Sequence, residues 1–289
     1  MQPVPPRDAS GDRPLVTWYH GALGQRVELS AKTFGNWVAK TANLLVEELG
    51  LRAGDRVAML LPSHWQAPPV LAACWRAGVS AVPVGPGVER ERAVALLADA
   101  GCAACFVHQQ LLAEVPLRFP GSPPPLLAVT DDLPGRSAAD LGAALPFTRL
   151  AASMPDHFDG EDATPETEAL LEADRGGARS WTRAALAEAA TDLGHRLGLE
   201  SGGRLYSGLD LEHAAGVVAG VAMPVVVGTG VVLERDPDLT VLPRRLADER
   251  VAVALLTPDQ AQAVRSGPGL EPGARLVEEP FIGDSFRRS

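Results

Sequence analysis

The feature that most limits how this chain can fold is the rhythm of its apolar runs. Short apolar stretches recur, each followed within a few residues by a stretch with helical spacing. "DRVAMLL" leads into "HWQAPPVLAACWRAG", "SAVPVG" into "ERERAVALLADAG", and "AACFVH" closes the series. After residue 165 the order restarts. "TEALLEA" reads as a strand, "SWTRAALAEAATDLGHRLGL" as a helix capped by Ser180 or Thr182, and "GRLYSGLDL" as a strand. A helix with glycine breaks, "EHAAGVVAGVAMPVVVG", then "GVVLE", "DLTVLPRRLADER", "VAVALLT" and "PDQAQAVRSG" complete the pattern. Strands alternating with helices at this interval pair in parallel, and the helices cover the sheet faces. The expected fold class is α/β, with mostly parallel sheets flanked by helices.

The opening differs in kind. "PLVTWYH" and "QRVELS" around "GALG" read as a hairpin. "SAKTFGNWVAKTANLLVEEL" reads as a helix with Ser30 as its N-cap. Phe34, Trp37, Val38, Leu44, Leu45 and Leu49 recur at helical spacing, and Gly50 stands at the C-cap. The expected organisation is a flexible N-terminus (1–12), a first α/β subdomain (13–115), an irregular Pro/Gly/Asp/Ser-rich connection (116–165), a second α/β subdomain (166–265) and a tail (266–289).

A hydrophobic fraction of 46% is enough for a real core. The net charge of −10 argues against nucleic acid and anionic membrane surfaces, both of which need clustered Lys and Arg. No apolar span reaches transmembrane length; residues 214–233 come nearest but break at Pro224, Gly228 and Gly230. With no signal-peptide pattern at the start, the expected location is cytoplasmic. "CAAC" (Cys102–Cys105) has no second pair to complete a zinc site and runs into a strand, so its cysteines read as packing residues. No Gly-x-Ser-x-Gly elbow or HExxH helix occurs, and Ser207 in "LYSGLD" lacks the preceding glycine, which sets hydrolases aside.

The stretch "LLEADRGGARSWTRAAL" (170–186) combines paired glycines with three arginines and two carboxylates. One reading is a polar turn between a strand and a helix. The other is an anion site built from Arg175, Gly176, Gly177 and Arg179, since a Gly-Gly turn before a helix can present converging N–H groups. His64 and Trp65, at a strand end, are candidate pocket residues.

The run "ELSAKTFGNWVAKTANLLVEELGLRAGDRVAMLLPSHWQAPPVLAACWRAGVSAVPVG" resembles the N-terminal region of acyl-adenylate-forming enzymes. These are the acyl-CoA synthetases, peptide-synthetase adenylation domains and luciferases. The resemblance rests on Gly54-Asp55-Arg56-Val57-Ala58, "LLPSHW", Ala77-Gly78 and Val82-Pro83. "LGLESGGRLYSGLDLEHAAGVVAGVAMPVVVGTGVVL" is similar to a later family segment, and the likeness covers about residues 13–265. "QRVELSAKTFGNWVAKTAN" and "LPSHWQ" look narrower still, like a group of short actinobacterial proteins of this kind. The resemblance puts His213, with Gly216 in "EHAAG", beside the family's acyl pocket.

That family activates a carboxylate with ATP and magnesium. Such catalysis is mostly positioning and charge stabilisation. The resemblance therefore implies a mobile "T-S-G-T-T-G-x-P-K-G" loop around the phosphates, a Thr-Glu pair, a ribose Asp and a C-terminal Lys. Here the loop's place is held by "EADRGGARSW", with no lysine beyond Lys40. Glu172 and Asp174 would face a triphosphate at a cost on the order of 1 kcal/mol per like-charge contact at an effective dielectric of about 20, offset by Arg175, Arg179 and Arg183. With an end after residue 289, the chain is expected to be a truncated relative that lacks the catalytic parts and serves a binding or regulatory role. The alternatives are a ligase half completed by a partner chain and a nucleotide- or acyl-binding protein. ATP or AMP and magnesium enter by resemblance only. A protein partner or homo-oligomer is expected, because a shortened chain exposes apolar surface.

Overall fold

The computed structural model describes residues 13–85, 87–119, 121–131, 141–160, 163–174, 177–266 and 275–278. The expected flexible segment over 1–12 lies outside them. Thirteen strands appear among these residues: β1 Val16–His20, β2 Gln25–Leu29, β3 Arg56–Leu60, β4 Ser80–Pro83, β5 Ala104–His108, β6 Leu126–Val129 and β7 Leu145–Pro146, then β8 Glu168–Asp174, β9 Gly177–Thr182, β10 Arg204–Ser207, β11 Gly230–Arg235, β12 Val253–Leu256 and β13 Arg275–Glu278. They form a six-stranded sheet, β13-β12-β10-β11-β1-β2, and a seven-stranded sheet, β7-β6-β5-β3-β4-β8-β9. Every neighbouring pair is parallel except the hairpins β1–β2 and β8–β9, each of which adds one antiparallel strand to an edge. Parallel neighbours need a crossover, and helices Ala67–Arg76, Arg90–Ala100 and Leu242–Asp248 supply three of them.

The chain divides into two compact units made of interleaved stretches. One comprises residues 1–34, 63–68 and 186–289; the other comprises Gly35–Pro62 and Pro69–Ala185. A linear cut at 115 and 166 cannot express this interleaving. In the first unit, Tyr206, Val232, Leu242, Leu246, Ala254 and Leu256 form a buried cluster over the sheet. In the second, Ala58, Leu60, Val82, Leu96, Val107 and Leu171 do the same. Strands buried on both faces read as continuous apolar runs, which is why "VAMLL" and "VALL" carry no polar alternation.

Local signals are met where sequence chemistry is specific. Ser30 Oγ accepts from Thr33 N at 3.1 Å as an N-cap. Asp55 Oδ2 accepts the turn amide of Arg52 at 2.7 Å. Gly78, at φ +73°, ends the helix Ala67–Arg76 in the left-handed region that glycine tolerates best. The glycines of "EHAAGVVAG" do not break the helix. Ala214–Val217, a π turn Val218–Ala222 and Met223–Val226 follow one another directly. Gly216 is instead a point of backbone contact, since a Cβ there would sit 1.9 Å from the Asp210 carbonyl oxygen.

Three segments differ from the sequence reading. The helix expected from Ser180 begins at Arg183, because "GARSWT" pairs with β8 as a strand; Thr182 Oγ1 accepts from Ala185 N at 3.1 Å, and Ser180 does not cap. Within the stretch read as a tail, Arg275–Glu278 pairs in parallel with β12. The stretch read as an irregular connection with one strand-like piece, "PLLAVTDD", holds β6 in that piece, and also β7 and the helix Phe147–Ala152, which were not expected. The end of that helix is pinned: Lys40 Nζ donates to the carbonyls of Ala152 at 3.2 Å and Met154 at 2.5 Å, and Asn43 Nδ2 to that of His157 at 2.7 Å. Among the described residues, no helix is long and apolar enough to cross a membrane.

Candidate functional site

The stretch that the resemblance marks as a phosphate loop is a closed β-hairpin. Glu172 stands opposite Arg179, Ala173 opposite Ala178 and Asp174 opposite Gly177, so two residues, 175 and 176, connect the strands. Arg175 and Gly176 lie outside the described residues; of the proposed anion site, Gly177 and Arg179 are seen, both on β9. In an antiparallel ladder the N–H groups point sideways to the neighbouring strand and alternate in direction. They do not converge on a point, as a phosphate cradle requires.

The polar side chains of the hairpin are used internally. Glu172 does not face outward as the sequence suggested: it is buried, and its Oε1 accepts from Trp181 Nε1 at 2.9 Å. The Arg179 guanidinium lies over the Trp181 ring, 4.2 Å from its centroid. Arg183 is buried and donates to the Ala163 carbonyl oxygen. At the other end of β8, Glu168 takes a bidentate pair from Arg56, with Nε to Oε1 at 2.8 Å and Nη2 to Oε2 at 3.2 Å, while Ser180 Oγ donates to Oε2 at 2.6 Å. Burial pushes the Glu168 carboxyl up, but hydrogen bonds from Arg56 and Ser180 and the charge on Arg56 outweigh it and hold the group below the ordinary range.

The other candidates lie in the first unit. His64 and Trp65 are buried, with ring centroids 5.7 Å apart. His64 meets Trp18 edge-on at 5.2 Å, and Trp18 meets His20 at 5.8 Å. Trp18 Nε1 donates to the Ser63 carbonyl at 3.2 Å, and His64 Nδ1 accepts from Gln66 N at 3.2 Å. These bonds fix the segment Ser63–Pro68 against β1. His213 is exposed at the start of the helix Ala214–Val217 and makes no capping bond from its side chain. Gly216 is buried beneath Asp210. The Asp210 carboxyl is raised by burial, against the pull of His213.

The sequence reading missed one buried pair. His108, the last residue of β5, places Nε2 3.1 Å from Asp131 Oδ1, just beyond β6, and Gln110 N donates to His108 Nδ1 at 3.4 Å. The signal was present in "CFVH" and "VTDD". Residues that follow parallel strands gather at the carboxyl edge of the sheet, where ligands of α/β proteins bind. Among the described residues, no group of three His, Cys, Asp or Glu side chains is placed to hold a metal ion.

Comparisons with known proteins bear on this arrangement. The AMP-binding enzyme family matches residues 7–172, more than half of the chain. A Mycobacterium tuberculosis protein is 51% identical over 69 residues, which make up 24% of this chain and 28% of that relative. The acyl-CoA synthetase of Brucella canis superposes with a TM-score of 0.78 at 17% identity, covering 96% of this chain and 53% of that one. The N-terminal domain of FACL13 from Mycobacterium tuberculosis, in an inhibitor-bound crystal structure, gives 0.75 at 16% identity, covering 97% of this chain and 72% of that domain. The chain thus spans about half the length of the Brucella canis structure. At these identities the likeness is one of fold, and the fold is the expected one: mostly parallel sheets flanked by helices.

Proposed function

This chain belongs to the AMP-binding enzyme family, and from that premise we propose that it is a non-catalytic member, with a binding or regulatory role in place of carboxylate activation. One observation carries the reading: the segment that the resemblance puts in the place of the family's phosphate loop is a hairpin with two residues between its paired strands. A loop that grips the β- and γ-phosphates of ATP must offer several N–H donors to one point and change shape as pyrophosphate leaves. Here Trp181 and Glu172 are joined, and Arg179 is held over an aromatic ring. Opening the hairpin would leave the buried Glu172 carboxylate without its indole donor, a cost of about 1–3 kcal/mol.

Calorimetric titration tests this. The protein is titrated with Mg-ATP, AMP and coenzyme A, and any positive is repeated with Arg175 and Arg179 replaced by alanine. The reading expects no binding heat from Mg-ATP. Micromolar binding that disappears in the double variant would make "RGGARS" a working anion site and overturn it.

A further inference from the structure

No further inference is drawn: the strongest candidate, the buried His108–Asp131 pair at the carboxyl ends of β5 and β6, has both ring nitrogens of His108 engaged inside the fold, Nε2 with Asp131 and Nδ1 with the Gln110 amide, and nothing among the described residues points to a ligand there.

Discussion

Across the β8–β9 hairpin, Trp181 Nε1 donates to Glu172 Oε1 at 2.9 Å, and both residues are buried. A carboxylate that would repel a nucleotide is thereby turned into part of the packing. The same indole supports Arg179, so one aromatic side chain organises two opposite charges of this hairpin, Glu172 and Arg179.

Removing that donor should be costly. Trp181→Phe keeps most of the apolar surface and removes the indole N–H that the buried Glu172 carboxylate accepts, at about 1–3 kcal/mol. Replacing Glu172 by Gln or Leu in the same background should recover part of the loss. Urea unfolding midpoints check this; an unchanged midpoint in Trp181→Phe contradicts it.

The Arg56–Glu168 pair predicts acid sensitivity. Burial raises the Glu168 carboxyl, but its bonds from Arg56 and Ser180 prevail, so its folded value lies below the reference of 4.5. A depressed carboxyl contributes stability that is full above the unfolded value and is lost as pH falls through the folded one. The loss therefore begins below about pH 4.5. Glu249, also raised by burial and brought below its reference by Tyr19, Arg26 and Arg204, acts with the same sign. In Glu168→Gln the decline of unfolding free energy below this pH should be shallower than in the wild type. Parallel curves would remove Glu168 from the account.

Gly216→Ala should be among the most damaging small substitutions. The added Cβ would meet backbone, the Asp210 carbonyl oxygen at 1.9 Å, which cannot move as a flexible side chain can. The expected loss is about 3 kcal/mol. Ala215→Gly, one residue earlier, removes no such contact and should cost about 1 kcal/mol or less. Thermal melts of the pair check the difference, and equal losses would contradict it.

The "CAAC" cysteines should behave as packing residues. Burial pushes Cys74 up to about 12 and Cys102 to about 11, and it raises Cys105 as well. All three are free thiols, and thiolates are the reactive form. A thiol reagent at pH 8 should label them slowly in the folded protein and fully after unfolding. Rapid labelling of two thiols, or a Cys102–Cys105 disulfide on mild oxidation, would contradict this.

Much of the fold was legible because helices and buried strands write different periods. Ser30 acts through local backbone chemistry, and its N-cap role was placed correctly from sequence. The end of β9, "SWT", was read as the start of the following helix and the residues before it as a polar turn, because only their pairing with β8 makes them one strand. "ARLVEE" was hidden for a related reason: a four-residue edge strand follows a run rich in proline and glycine. At the candidate site, glycine and arginine content suggested an anion cradle, but only the register shows how few residues remain to form one. The His108–Asp131 pair joins positions 23 apart, so its meeting depends on strand order and not on any local motif.

The central claim is that the closed hairpin excludes carboxylate activation. The most direct measurement is ATP–pyrophosphate exchange by the purified chain across a panel of short-, medium- and long-chain carboxylic acids with magnesium. The account predicts exchange no higher than that of a protein-free control for every acid. Exchange well above control with any acid, lost on Arg179→Ala, would show that the hairpin opens onto ATP and would contradict it.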